Sequence, residues 1–419
     1  MEDQIKYLIN IIKGNDFHDV KPPNIYNNLK KMLGKPLVAN VDYDSETLEK
    51  QSEVESMVNG IYQDILDSHR HINNHFEIEK HGEFVNRSLT IPLPGYYKGY
   101  DANHSWMLYW LTNANCLLGQ QENELEMKDL IVEKIKTLIV DNGKGGISGG
   151  ANQLGHLASS YAAILTLVLV EEFDLLKSIS SNLYQWMMSL KQDDGSFIMH
   201  YNGEADTRSM YCALVIGSLL NLLNDDFTHG CLSWVQKCQT YEGGFAGVPG
   251  TEAHGGYTFC GVACFFLLNK SLDNLNIDKL IRWSVARQYQ LEGGLSGRAN
   301  KLVDACYGFW IGGVYAMIET FIKAPIFDRD SLKIYLLNCA QDSVKGGFKD
   351  KPNTRVDFYH TNYSLLGLSC SEYNFESGDL LAYDFKTNEI NDDTNVSPIN
   401  PVFGLPHGKA EACRKYFNN

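Results

Sequence analysis

One motif recurs along this 419-residue chain at an interval of about 50 residues: a tight, glycine-rich turn followed by an apolar residue. It stands at Gly146-Ile147, Ser196-Phe197, Gly244-Phe245, Gly294-Leu295 and Gly347-Phe348. A unit of that length cannot bury its own apolar face, so neighbouring units must stack. Each interval holds two segments long and apolar enough for helices, such as Tyr257 to Leu268 followed by Ile277 to Gln288. Kelch propellers repeat at a similar interval, but they need short alternating strands, and Tyr161 to Leu176 shows no such alternation. The pattern therefore predicts an all-α chain of stacked helical hairpins, one helix of each pair buried on both sides and the other amphipathic. Such a stack can close into a ring around a central cavity.

Residues 1–70 read as an N-terminal flanking segment with one helical pattern, Glu46 to Leu66, and residues 71–419 as the repeat domain. After Ser377 the repeat breaks into Asp-, Asn- and Pro-rich chain, which predicts a long surface loop at about 377–408. A short helix, Gly408 to Phe417, follows it.

Charge narrows the function. With 36 Lys and Arg against 51 Asp and Glu, the net charge of −15 argues against a nucleic-acid groove or a lasting bond to an anionic membrane. Any anion site must be local. The longest apolar run, Ala162 to Val170, is far short of the roughly eighteen residues that span a bilayer, so no stable membrane insertion is expected. Met1-Glu-Asp-Gln has no signal-peptide shape, and ten cysteines without a Cys-x-x-Cys pair suit a reduced core, so the expected location is cytoplasmic.

Counting from each turn hydrophobe aligns the repeats. Nine residues on stand His156, Asp206, His254, Asp304 and Asp357. Eleven and twelve on come Ala158 and Ser159, Arg208 and Ser209, Gly256 and Tyr257, Cys306 and Tyr307, Tyr359 and His360. Fourteen and fifteen on come Tyr161, Tyr211, Cys212, Phe259, Cys260, Trp310, Asn362 and Tyr363. Equivalent places in a ring face one centre, which predicts a polar rim above an aromatic wall, a funnel for a ligand with an anionic head and an apolar tail. The ninth-place residues could be no more than helix caps. Capping leaves Arg208, Arg298, Lys301, Cys306 and His360 unexplained, because cations and a thiol make poor packing.

The densest stretch runs from Glu292 to Trp310. It reads as a glycine turn leading into a helix start with two cations, Arg298 and Lys301, then Asp304 and Cys306. Cations beside a helix N-terminus suit a phosphate or diphosphate. Asp and Cys suit a zinc ion that takes a third ligand from elsewhere.

Glu252-Ala-His-Gly-Gly-Tyr-Thr-Phe-Cys260, Gly297-Arg-Ala-Asn-Lys-Leu-Val-Asp-Ala-Cys-Tyr307 and Asp357-Phe-Tyr-His-Thr-Asn-Tyr363 closely resemble the β subunits of protein farnesyltransferases, within the wider prenyltransferase β-subunit family. The resemblance implies an α/α toroid, active as a heterodimer with a farnesyltransferase α subunit. It implies transfer of farnesyl from farnesyl diphosphate to the Cys of C-terminal Cys-a-a-X (CaaX) motifs, as on small GTPases, through a zinc-bound thiolate. The family's zinc ligands match Asp304, Cys306 and His360, and its magnesium carboxylate matches Asp350. Its catalytic diphosphate contacts match His254, Arg298, Lys301 and Tyr307. The isoprenoid wall matches Arg208, Tyr211, Tyr257, Cys260 and Trp310, and the peptide pocket Trp106, Trp110, His156, Ala158 and Tyr359. Trp106 and Tyr363 are expected to close the pocket at fifteen carbons. Ser159 and Asn103 depart from the family's Pro and Ser near the pocket for residue X.

The chemistry is self-consistent. Three protein ligands leave zinc one open position, and a thiol entering it loses its proton. The nearest alternative is the β subunit of type I geranylgeranyltransferase. Triterpene cyclases share glycine-aromatic repeats but need an Asp-x-Asp-Asp acid that this chain lacks, and a helical scaffold would have no reason to hold zinc.

Overall fold

The five turn hydrophobes are buried, and each sits in the same local frame. Isolated antiparallel bridges pair Ile139 with Ile147, Lys191 with Phe197, Gln239 with Phe245, Gln288 with Leu295 and Gln341 with Phe348. Glycine is needed there for contact as well as conformation: a Cβ at Gly243, whose φ is +115°, would lie 2.1 Å from the Lys279 carbonyl oxygen. In a computed structural model, the structure describes residues 45–67, 75–119, 124–140, 145–378, 381, 383–390 and 394–418.

Apart from the one-turn helix Asp225–Thr228 and short 3-10 and π turns, the helices in chain order are α1 (Glu46–Asp67), α2 (Ile78–Thr90), α3 (His104–Leu117), α4 (Glu124–Lys136), α5 (Leu157–Leu169), α6 (Phe173–Leu190), α7 (Thr207–Leu219) and α8 (Cys231–Lys237). They continue as α9 (Gly255–Leu267), α10 (Ile277–Val285), α11 (Tyr307–Trp310), α12 (Gly312–Ile322), α13 (Arg329–Tyr335), α14 (Phe358–Glu372) and α15 (Lys409–Phe417). Helices α3, α5, α7, α9, α11 with α12, and α14 form the inner wall, each packed on the next. Helix α14 returns to pack on α3, so the ring is closed: the fold is an α/α toroid. Inner helices are apolar nearly all round because both faces are covered, whereas α6 and α10 carry the amphipathic pattern of an outer layer.

Four of the five ninth-place residues are N-caps, and the fifth, Asp304, makes the same backbone contact in the turn before its helix, whose N-cap is Cys306. His156 accepts from the Ala158 N–H, Asp206 from Arg208 and Ser209, His254 from Gly256, Asp304 from Cys306 and Asp357 from His360. A cap fixes where the helix starts and how its first side chains face the ring. A second tie follows: hydroxyls of Ser160, Thr258 and Thr361 accept from the N–H groups of Ile147, Phe245 and Phe348.

Two expectations need correction. The helix after Gly294 begins only at Tyr307, so Arg298 and Lys301 lie in the loop before it and not on a helix start. This inner helix is also broken at Ile311 between α11 and α12. The segment near 377–408 is only partly a surface loop. Strands β1 (Tyr373–Glu376) and β2 (Lys386–Glu389) form an outlying hairpin, but β3 (Ile399–Asn400) and β4 (Leu405–Pro406) form a buried one. Ile399, Val402, Phe403 and Leu405 are fully covered, because this apolar run closes one end of the ring. Inner-helix donors satisfy its carbonyls: Tyr211 Oη donates to Val402 O at 2.7 Å, and Tyr109 Oη and Asn113 Nδ2 donate to Gly404 O, both at 3.0 Å.

Helix α1 falls where the pattern placed it. It docks outside the fourth repeat, Tyr62 Oη donating to Glu292 O at 2.6 Å and Gln51 Nε2 to Glu292 Oε1 at 2.8 Å.

Candidate active site

The loop that starts at Glu292 brings its chemistry to α14. Gly308 on α11 lies against Gly367 on α14 so closely that a Cβ on Gly367 would come within 2.9 Å of the Gly308 backbone. That approach sets Asp304 and Cys306 beside His360. One ligand atom from each lies within 4.8 Å of the others. A tetrahedral zinc site separates its ligand atoms by roughly 3.5 Å, so side-chain shifts of about 1 Å suffice to close this one.

The residues fit such an ion. His360 Nδ1 is 2.7 Å from Asp357 Oδ2, which directs Nε2 at the other two ligands. Nε2 is buried and, although 3.2 Å from Asp304 Oδ1, makes no aligned hydrogen bond. Burial works against an imidazolium, but Asp304 and Asp357 overcome it and push His360 up to about 10. Burial, and then the Asp304 charge, raise the Cys306 thiol well above its ordinary range. Two carboxylates and a thiol thus surround a ring that must hold a proton for want of another positive charge. A divalent cation would take that proton's place.

Tyr307, next to Cys306, faces the mouth. Its Oη lies 3.0 Å from His254 Nε2. Because His254 Nδ1 accepts the Gly256 N–H at 3.1 Å, the neutral ring carries its hydrogen on Nε2. Burial and then the Arg298 charge hold His254 below its ordinary pKa, which keeps it neutral. So Nε2–H donates to Tyr307, whose own hydroxyl hydrogen is left to point elsewhere. Arg298 Nη1 meets Glu252 Oε2 at 3.0 Å, Arg208 pairs with Asp206 at 2.5 Å, and Lys301 is exposed.

Below the rim the aromatics close a belt. Ring centroids run Trp106 to Tyr161 at 5.7 Å, Tyr161 to Tyr211 at 5.5 Å, Tyr211 to Phe259 at 5.4 Å and Phe259 to Trp310 at 5.2 Å. The circuit continues from Trp310 to Tyr363 at 4.5 Å, Tyr363 to Tyr359 at 4.7 Å, Tyr359 to Trp110 at 5.4 Å and Trp110 back to Trp106 at 5.7 Å. Every inner wall position contributes. Trp310 Nε1 also donates to Tyr359 Oη at 2.9 Å. Arg208 lies over the Tyr257 ring at 5.6 Å, while Cys260 is buried in the wall behind it. His156 stacks near His200, and half-buried Ala158 follows it on α5.

Asp350 is beside this cluster without joining it. Its carbonyl accepts the Ala305 N–H at 2.8 Å, but its carboxylate is engaged by Lys351 and by Thr354 Oγ1 at 2.5 Å. Trp106 and Tyr363 stand on adjoining helices, linked through Trp110 and Tyr359. Sequence reasoning passed over Asp357 as a cap alone. The signal was its place three residues before His360, within reach on one helical turn. It also gave no role to Glu252, two residues before His254.

The prenyltransferase alpha-alpha toroid domain family matches residues 76–405. The Schizosaccharomyces pombe protein farnesyltransferase subunit beta is 37% identical over 382 residues, covering 88% of this chain and 98% of that protein. The Arabidopsis thaliana geranylgeranyl transferase type-1 subunit beta matches less of both, 34% identical over 262 residues, 60% of this chain and 63% of that protein. Among solved structures, the Candida albicans protein geranylgeranyltransferase-I complexed with GGPP superposes with a TM-score of 0.69 at 24% identity, over 82% of this chain and 99% of that one, and supports the fold. Nearly full-length likeness to a farnesyl enzyme subunit, joined to the toroid just described, makes this chain a prenyltransferase subunit that belongs to the protein farnesyltransferase β-subunit family.

Proposed function

We propose that this chain transfers farnesyl from farnesyl diphosphate to the thiol of a C-terminal CaaX cysteine, as the catalytic partner of a farnesyltransferase α subunit in the cytosol. One observation carries the reading: Asp304, Cys306 and Tyr307 follow one another at the end of one loop, where the first two meet His360 of α14 and the third meets His254 of α9, flanked by belt residues Trp310 and Tyr359. An ionic head and an apolar tail are thereby received side by side.

Asp304, Cys306 and His360 would hold zinc, which would supply the positive charge that lowers the pKa of a substrate thiol toward neutral pH. The sulfur–C1 bond forms as the C1–oxygen bond breaks, and the electron pair leaves on the diphosphate. His254, Tyr307, Arg298 and Lys301 donate to that growing charge, and no side chain has to act as a general base. Arg208, Tyr211, Tyr257, Cys260 and Trp310 line the isoprenoid, and Trp106, Trp110, His156, Ala158 and Tyr359 the peptide. Asp350 would hold magnesium against the diphosphate once Lys351 lets go, since Mg²⁺ takes one or two protein oxygens beside phosphate and water.

Trp106 with Tyr363 limits the lipid to fifteen carbons. A further isoprene would shift C1, and a displacement of about 1 Å can cost roughly 10²-fold in rate. The test is co-expression with a farnesyltransferase α subunit, then assay of CaaX peptides with both isoprenoid diphosphates, with and without magnesium. Preferential farnesyl transfer that magnesium stimulates is the expected result. Preference for the twenty-carbon lipid, or no transfer, overturns the proposal.

A further inference from the structure

Each of three cations around the mouth has an acid against it, but the acids are not alike. Asp206 is buried, caps α7 and holds Arg208 on two oxygens, so it is part of the frame. Asp350 is tied to Lys351 and Thr354. Glu252 is different: its side chain is 49% exposed, it caps no helix, and it meets the 41% exposed Arg298 at 3.0 Å. It belongs to the segment that ends in the His254 cap, and Arg298 and Glu252 act on His254 with opposite sign. The pair is therefore loose, at the mouth, and beside the Tyr307–His254 donors.

We propose that Glu252 is a positioning residue, a stand-in anion that holds Arg298 at the mouth when no diphosphate is there and competes with diphosphate for it. This rests on the reading that Arg298 receives the diphosphate. A carboxylate on a short tether competes equally with the head of the substrate and with the released product. The substrate keeps its grip through the aromatic belt, whereas inorganic diphosphate has no tail to offset the competition. The competitor therefore hastens clearance of the product while leaving the substrate bound.

The experiment uses the heterodimer and inorganic diphosphate as an inhibitor of farnesyl transfer. Glu252→Gln is expected to lower the inhibition constant for diphosphate roughly 3- to 10-fold, the scale of one exposed ion pair plus one removed negative charge. The gain should shrink as salt is raised. Glu204→Gln, at an acid of similar exposure 3.7 Å from Arg208, should change it less. In an Arg298→Gln background the effect of Glu252→Gln should vanish. An unchanged constant in Glu252→Gln, or an effect that persists without Arg298, overturns the inference and leaves the proposed function standing. A parent heterodimer that transfers no farnesyl overturns both.

Discussion

Asp206 and Asp304 occupy the same place in two repeats, nine residues after Phe197 and Leu295, and each accepts the backbone N–H two residues on. Their chemistry diverges two residues later. Arg208 folds back on Asp206 and neutralises it, while Cys306 offers nothing positive and the next repeat adds His360. An acid at that position is thus either a structural counter-ion or a candidate metal ligand according to its neighbours, and the difference lies in one side chain two residues on and one in the next repeat. The contrast extends to the turns. At Asp194, three residues before Phe197, burial works to raise the carboxyl, but the Ser196 hydroxyl and N–H that it accepts from outweigh it and hold it below its ordinary pKa. Glu292, three before Leu295, is buried under α1, which pushes it up to about 7.

The largest expected effect falls on the metal side. Cys306→Ala and His360→Ala should each lose bound zinc and drop activity to background, with the fold intact by circular dichroism. Full zinc by elemental analysis in Cys306→Ala would erase the distinction between the two aspartates. Asp357→Asn comes next. It can keep the cap through its amide oxygen but loses the charge behind His360, and zinc affinity by competitive chelation should fall roughly 10- to 100-fold.

A third test addresses the turns. The folded protein holds a proton on Glu292 that an unfolded chain loses near the ordinary glutamate value of 4.5. Stability from this group is full below that pH and is lost as pH rises through about 7, by about 3 kcal/mol. Glu292→Gln should therefore melt with the parent at pH 5 and above it at pH 8. A variant that melts below the parent at pH 8 would mean that Glu292 is ionised and paired.

The smallest effect belongs to Asp206→Asn, which keeps the cap and releases Arg208. It should cost about 1 kcal/mol in thermal or denaturant unfolding and leave zinc content unchanged. Loss of zinc there would show that the two repeats are coupled.

The ring was legible because its period is long and its turn hydrophobes are invariably apolar, and the rim because equivalent positions in a closed stack must face one centre. The register put Asp304, Cys306 and His360 on that rim, but their grouping as one ligand set came from the resemblance to the prenyltransferase β subunits. What escaped had physical causes. Hydrophobicity does not say that Val396 to Leu405 is covered, since Asn and Pro interrupt the run and its carbonyls are met by side chains from distant helices. The late start of α11 accompanies a close backbone approach between Gly308 and Gly367, fifty-nine positions apart in the chain, which no local pattern carries. Nor did the caps appear as switches of tautomer: reading His254 as either cap or ligand contact missed that its two nitrogens do both.

The hairpin of β3 and β4 has a consequence for how the protein is made. Its carbonyls are held by Tyr109, Asn113 and Tyr211, so the earliest inner helices wait for residues 399–406 before one end of the ring is sealed. Closure of α14 on α3 imposes the same delay, and contacts this distant in sequence are slow to form. During synthesis at roughly 5–20 residues per second, the apolar belt must stay open for many seconds after its first tryptophans have emerged. A chain stopped before residue 399 carries every proposed metal ligand and diphosphate contact, yet presents an unsealed aromatic bore to the cell, a ready target for chaperones and proteases.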